Sequence, residues 1–277
     1  MWLKRAIFAA NEEYLVGIVL DGVRVWRVED GKQITTMVAE SARCLAVSQC
    51  DKWIAAGTDN IGVIMWDAKT YEQVLRYKDS DTPNILGVDF SPDSTRLVFA
   101  TWLKATVWDI ATCKQAHTLH HHGHGWVKTV QYSPQGDRIA TASHDSVHVW
   151  DSNNGGLLLE IPVTVTPEFN QGLRWFNTHL FILSKSTLKQ FDASTGSVVA
   201  QWPVSESNSL SCITLPKNVE FIAYSTNSTI TFWDTSTHTQ LGLVQYPEVN
   251  SIAISPAVRF SQLVEGNSAS KAYLISS

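Results

Sequence analysis

The sequence predicts an all-β fold built as a closed ring of small antiparallel sheets. Three observations carry that prediction. A segment ending in Trp-Asp or a close variant returns every 40 to 42 residues, side chains alternate with a period of two inside each unit, and no helical pattern of ten residues occurs anywhere.

The repeat is seen in VRVWR (23–27), VIMWD (63–67), ATVWD (105–109), VHVWD (147–151), LKQFD (188–192) and ITFWD (230–234). Their aromatic residues, Trp26, Trp66, Trp108, Trp150, Phe191 and Trp233, are spaced 40, 42, 42, 41 and 42 apart. One further step falls near Tyr273 in KAYLIS, giving six clear units and a degenerate seventh.

Each unit then resolves into the same elements. VQYSPQGDRIATASHDSVHVWDSNNGGLLLEI reads as an alternating strand, a Ser-Pro-Gln-Gly turn, a second strand, a His-Asp-Ser turn, a third strand ending in Trp-Asp, an Asn-Asn-Gly-Gly turn and a fourth strand. The order recurs in GVDFSPDSTRLVFATWLKATVWDIATCKQAHTL. Four short strands cannot bury both faces of their sheet alone, so the units must stack, and the closed solution is a ring of blades. The aspartates after the aromatic residue, Asp67, Asp109, Asp151, Asp192 and Asp234, recur in the repeats, which points to a structural role in the turn rather than to chemistry.

The segment GHGWVKTVQYSPQGDRIATASHDSVHVWD, 123–151, closely resembles a WD repeat. Ser-Pro pairs at 91–92, 133–134 and 255–256, with Trp-Asp pairs at 66–67, 108–109, 150–151 and 233–234, extend the likeness over essentially the whole chain. The resemblance implies one seven-bladed β-propeller domain over 1–277, with four-stranded antiparallel blades. The chain starts at an inner strand and supplies no closing outer strand, so a three-stranded last blade and 27 strands are expected, or else a piece of a longer repeat protein.

The stretch TLHHHGHGW (118–126) concentrates His120, His121, His122 and His124. The family pattern gives one of them a structural task. His124, or His122, is expected to bond Asp145, with the chain of bonds passing through Ser143 or Thr141 to the Trp150 indole. Adjacent histidines at the end of a strand point to opposite faces and do not converge on one ion. No metal and no cofactor is expected. Other blades look worn: Asp59 with Trp66 and Asp21 with Trp26 retain parts of the network, Leu103-Lys104 stands where blade three would carry its turn aspartate, and Phe191 cannot donate an indole N–H.

Composition narrows the function. The formal charge is -5, with 21 basic residues scattered singly, which gives no stripe for a phosphate backbone. The four cysteines form no Cys-x-x-Cys pair and read as reduced, mostly packed thiols, and no apolar stretch approaches 18 residues. An intracellular, cytoplasmic protein is expected, with the nucleus also open to it, and neither nucleic acid nor membrane as a partner.

No nucleophile elbow or phosphate loop occurs. The sequence therefore predicts a non-catalytic scaffold that binds a protein or peptide on the top face of the propeller, standing alone or as the sensor portion of a larger signalling protein. Trp102, His124, Trp126, His144, Phe169 and Asn208 are the candidate contact residues. The alternative is a propeller hydrolase with a site in the central channel, disfavoured because the inner strands LGVDF, KTVQY, SCITL and NSIAI read as mostly apolar. A weak strand-edge association through 271–276 is also expected.

Overall fold

The computed structural model describes residues 3–78, 84–102, 104–121, 126–163, 172–184, 187–203, 210–214, 221–226, 229–245, 249–254 and 272–276. The described residues are strands, turns and loops without a helix. Blade one contains β1 (Leu3–Phe8), β2 (Tyr14–Val19), β3 (Gly22–Arg27) and β4 (Gln33–Val38). Blade two follows with β5 (Ala42–Val47), β6 (Trp53–Thr58), β7 (Val63–Asp67) and β8 (Gln73–Tyr77). Blade three contains β9 (Gly87–Phe90), β10 (Arg96–Ala100), β11 (Lys104–Asp109) and β12 (Lys114–His120). Blade four contains β13 (Thr129–Tyr132), β14 (Arg138–Ala142), β15 (Ser146–Asp151) and β16 (Leu157–Pro162). Blade five contains β17 (Leu173–Phe176), β18 (His179–Ser184), β19 (Thr187–Asp192) and β20 (Val198–Pro203), and blade six β21 (Leu210–Thr214), β22 (Phe221–Thr226), β23 (Thr229–Asp234) and β24 (Gln240–Gln245).

Every one of these six sheets is an antiparallel meander, each strand paired with its sequence neighbours. A register shift falls just before the Trp, or Phe191, where the third strand meets the fourth in all six blades. A bulge at a fixed place re-aims one side chain, here the repeat aromatic. At the turn that follows, Asp67, Asp109, Asp151, Asp192 and Asp234 each accept backbone N–H groups two or three residues on, at 2.7–3.1 Å. The recurring aspartate is thus a turn cap, as its periodicity indicated.

The core lies between blades. Between blades three and four, Val98, Val107 and Leu119 meet Val127, Val130, Tyr132, Ile139 and Trp150, all buried. Comparable clusters fill each gap around the ring, ending with Phe221 and Phe232 of blade six against Ile252 and Ile254, and with Ala253 against Leu3, Ala6 and Leu15 of blade one. Each fully buried Val, Leu, Ile or Phe contributes about 1.5–3 kcal/mol, so the sheets are held mainly by their neighbours' faces. Gly87 fits the same closeness, because a Cβ there would stand 3.0 Å from the backbone of Thr129 and Val130 on the next inner strand.

The seventh position departs from expectation. Among the described residues it is held by two strands, β25 (Val249–Ile254) and β26 (Ala272–Ser276), where three were expected, bringing the described strands to 26 against the expected 27. β25 packs against both β1 and β21, so the inner strands meet around the ring. Tyr273 pairs with Ala253 of the inner strand, which puts β26 in the second-strand position rather than the third. The 42-residue step misplaced it because residues 255–271 separate the two strands, where the other blades have a short turn.

Candidate functional site

The connections between second and third strands, and those from each fourth strand to the next blade, share one end of the ring, called the top. At blade four this end is organised by a buried polar chain. The Trp150 indole N–H donates to Thr141 Oγ1 at 2.8 Å, Thr141 Oγ1 lies 3.0 Å from His121 Nδ1, and His121 Nε2 lies 3.2 Å from Ser146 Oγ. Ser143 Oγ donates to Asp145 Oδ1 at 2.7 Å. Among the described residues the histidine in this chain is His121, immediately after β12, and the indole reaches Thr141 rather than Ser143. His122 and His124 lie outside the described residues. His121 also stacks on His148 (centroids 3.8 Å apart, planes 22° apart), and His148 has its Nε2 3.7 Å from Glu160 Oε1.

Stacked imidazoles direct their lone pairs sideways in parallel planes, and both His121 nitrogens already face hydroxyls. That geometry locks a turn and does not chelate. Among the described residues no group of three His, Cys, Asp or Glu side chains is placed to hold a metal.

The worn blades were misread in part. Asp59 pairs with Arg43 and Asp21 with Arg24, so neither completes a network to its tryptophan. In blade three, Phe99 occupies the register position of Thr141, and Tyr77 packs between Phe99 (5.4 Å) and Trp108 (4.6 Å). The Trp108 and Trp233 indole N–H groups have no hydrogen-bond partner among the described residues. Cysteines also divide: Cys44 is buried, which pushes its thiol up to about 12, while Cys50 and Cys113 are exposed rather than packed.

Two of the candidate contact residues come together. Trp102, on the turn after β10, and Trp126, on the approach to β13, stack with planes 9° apart and centroids at 5.4 Å. Trp102 is 37% and Trp126 52% exposed, and the Val127 N–H bonds the Trp102 carbonyl at 2.9 Å, tying the two loops. Two large apolar rings held parallel in water form a preordered contact surface, since neither loses further freedom when covered. His144 is exposed on the neighbouring turn of blade four. Phe169 and Asn208 lie outside the described residues.

The middle of the ring contains a cavity of about 270 Å³, lined by β1, β5, β9, β13 and β25 with Arg174 of β17 and Thr214 of β21. Asp89 Oδ2 accepts the Tyr132 N–H at 2.8 Å, and Gln131 Oε1 accepts the Trp175 N–H at 2.7 Å, so side chains of one inner strand bond the backbone of the next. Burial raises the Asp89 carboxyl to about 6, against the lowering effect of the Tyr132 and Phe90 N–H groups and the Arg174 and Arg5 guanidiniums. Sequence reasoning passed over this cluster by treating the inner strands as apolar. The signal was present in the register, because Asp89, Gln131 and Arg174 occupy equivalent positions of successive repeats.

Residues 113–151, which run from β12 of blade three through β13, β14 and β15 of blade four and include the Trp150 network, match the family model described as WD domain, G-beta repeat. The chain carries a WD repeat there. Its relatives include apoptotic protease-activating factor 1 of Danio rerio, 23% identical over 236 residues that make up 78% of this chain and 18% of that protein. Small ribosomal subunit protein RACK1 of Drosophila melanogaster is 35% identical over 83 residues, 28% of this chain and 26% of that one. A subunit of eukaryotic translation initiation factor 3 from Culex quinquefasciatus is 24% identical over 179 residues, 61% of this chain and 23% of that one. The chain thus spans about a quarter or less of each of these relatives. No described helix is long and apolar enough to cross a membrane.

Proposed function

We propose that this protein is a non-catalytic WD-repeat scaffold, one seven-bladed propeller over 1–277, that binds a protein or peptide partner on its top face with Trp102 and Trp126 at the centre of the contact. The observation that carries the reading is the exposed, parallel indole pair, fixed by a backbone bond between its two loops. Tryptophans in that state are the side chains that most often dominate binding energy. Support also comes from the relatives whose names make them components of larger assemblies, a ribosomal subunit protein and a subunit of an initiation factor. The same reading places the protein in the cytoplasm, away from nucleic acid and membrane, with a weaker docking by strand addition at β26, which among the described residues pairs only with β25.

The test compares partners captured by the intact protein with those captured by folded Trp102→Ala and Trp126→Ala variants. Each substitution is expected to weaken the principal partner by about 2 kcal/mol or more, the usual size of a tryptophan hot spot. An unchanged partner set and affinity in both variants would remove the top face as the site. Turnover of any substrate by the purified protein would replace the scaffold with the hydrolase reading.

A further inference from the structure

The seam between blades one and two is closed differently from those between blades three and four and between four and five. Arg96 and Arg138, the first residues of β10 and β14, each donate across their seam to a backbone carbonyl of the next blade, Ser152 at 2.9 Å and Ala193 at 3.1 Å. The first residue of β2 is Tyr14. In blade two the residue just after the capping aspartate, the position of Ser152 and Ala193, is Ala68, and among the described residues no side chain bonds its carbonyl. A cavity of about 290 Å³ lies there, at the end of the ring opposite the top, and both Tyr14 and Ala68 line it. In the seam that Arg96 enters, the equivalent space is about 180 Å³.

The rest of the lining fits the same reading, and all of it falls within 9–71, a stretch described without a gap. Val47 takes the register position of Tyr132, which opens the space down to Val16, Val25 and Ile54 of the core. Tyr71 takes the left-handed turn position of Gly155 (φ 60° against 74°), so a phenol lines the space where the other seam has no side chain. Glu13 and Asp51 line it as well, against Lys69. Asp51 accepts the Ala10 and Asn11 N–H groups at 2.6 and 2.8 Å, and Glu13 accepts the Asn11 amide at 3.3 Å. These donors are neutral, and a carboxylate with one donor on an oxygen has lone pairs left for a cation.

We propose that this seam is a socket for an arginine side chain of a partner protein, which lies beside Tyr14 and donates to the Ala68 carbonyl as Arg96 and Arg138 do to theirs within the chain. The methylene stem packs on Val16, Val25, Val47 and Ile54, the guanidinium faces the phenol rings, and Glu13 and Asp51 supply the opposite charge. A lysine fits less well. Its ammonium has no planar fork to reach a carbonyl and a carboxylate together, and it is more strongly hydrated. The socket is at the other end of the ring from Trp102 and Trp126, so its failure would leave the top-face reading standing.

The experiment follows the methyl groups of Val47 and Ile54 by NMR in the full chain as the peptide acetyl-Gly-Arg-Gly-amide is added, with lysine, citrulline and leucine peptides as controls at matched ionic strength. Citrulline keeps the shape of arginine and lacks its charge. Saturable shifts are expected with the arginine peptide, binding at least about fivefold weaker with lysine, and no shifts with citrulline or leucine at the same concentrations. Tyr14→Arg fills the socket from within, so it is expected to raise the melting temperature and abolish the shifts. Glu13→Gln, at an exposed position, is expected to weaken binding about threefold, and Trp102→Ala to leave it unchanged. No saturable shift with the arginine peptide, equal binding of the citrulline or leucine peptide, or full binding by folded Tyr14→Arg would overturn the socket. If Tyr14→Arg fails to fold, unchanged affinity in Glu13→Gln would overturn it instead.

Discussion

Blades three and four have the same register and different interiors. Phe99 and Thr141 each stand second from the end of β10 and β14, opposite Val88 and Val130 on the inner strands. In blade four the hydroxyl at that position receives the Trp150 indole and passes the chain of bonds to His121. In blade three a benzyl ring fills it, Tyr77 of the preceding blade closes over the cluster, and the Trp108 indole N–H has no described partner. One repeat position therefore solves the same packing problem in two ways. A polar chain fixes geometry and is costly to interrupt, whereas an aromatic cluster tolerates exchange and leaves one donor unsatisfied.

The largest expected effect comes from breaking the polar version. Thr141→Val preserves shape and leaves both the Trp150 N–H and His121 Nδ1 without their shared partner, which at roughly 1–3 kcal/mol for each buried group amounts to about 2–6 kcal/mol in urea unfolding. A loss below about 0.5 kcal/mol would show that water or a neighbour takes over the hydroxyl's place. Trp108→Phe sharpens the contrast from the other side. It removes an unsatisfied donor along with some volume, so it is expected to cost at least about 1 kcal/mol less than Trp150→Phe measured the same way. Equal costs would mean that the two interiors are energetically alike.

Hydrogen exchange reads the comparison without mutation. Amides of β14 and β15 are expected to be among the slowest and those of β25 and β26 the fastest, since the seventh sheet has only two described strands to protect it. Similar protection at 249–254 and 138–151 would contradict that order.

The sequence made the repeat legible because each unit writes the same turn chemistry and the same alternation. Trp150 and the capping aspartates could be placed from spacing alone, whereas Ser143 and Thr141 both fitted the family pattern for the network hydroxyl. His121 was not singled out, because the loop from His120 to Trp126 is one residue longer than the pattern and the family spacing pointed to His124 or His122. Phe99 was visible in GVDFSPDSTRLVFATW yet not recognised as the substitute for the network hydroxyl, since an aromatic residue in a strand reads as ordinary packing. Tyr273 was misplaced because a period locates a strand only when the turns before it have their usual length. The stacking of Trp102 on Trp126 arises between blades, and no pattern within one repeat encodes it.

Smaller effects follow from acid. Accepted hydrogen bonds from Ser194 and Thr195 hold Asp192 at about 2, those from Ser236 and Thr237 do the same for Asp234, and Thr70 and Thr112 lower Asp67 and Asp109. With folded values below the unfolded one, these groups add stability that is present above pH 4 and lost as pH falls towards 2. Asp89 has the opposite sign: raised to about 6, it lowers stability as pH rises from 4 through 6. Melting temperature followed from pH 7 to pH 2 in wild type and Asp192→Asn is expected to differ by little at pH 2 and by more at pH 7. An equal offset across the range would remove the turn cap from the acid response. The smallest expected effect is that of a chelator, which should leave the melting temperature of the histidine-rich blade unchanged, and a drop of several degrees would put an ion at His121.

Arg96 and Arg138 stand at the start of the second strand in successive blades. Each reaches across the seam to a backbone carbonyl of the following blade, Ser152 at 2.9 Å and Ala193 at 3.1 Å. The inner strands make the same forward link through Asp89 and Gln131. Each of these two units thus carries fasteners that land on its successor's backbone, like a tile with adhesive along one side. A tandem duplication of such a unit inherits these fasteners with it, because they need from the new neighbour only a peptide carbonyl and an N–H in the usual place. Lineages that gain or lose a blade can then do so without reinventing the seam.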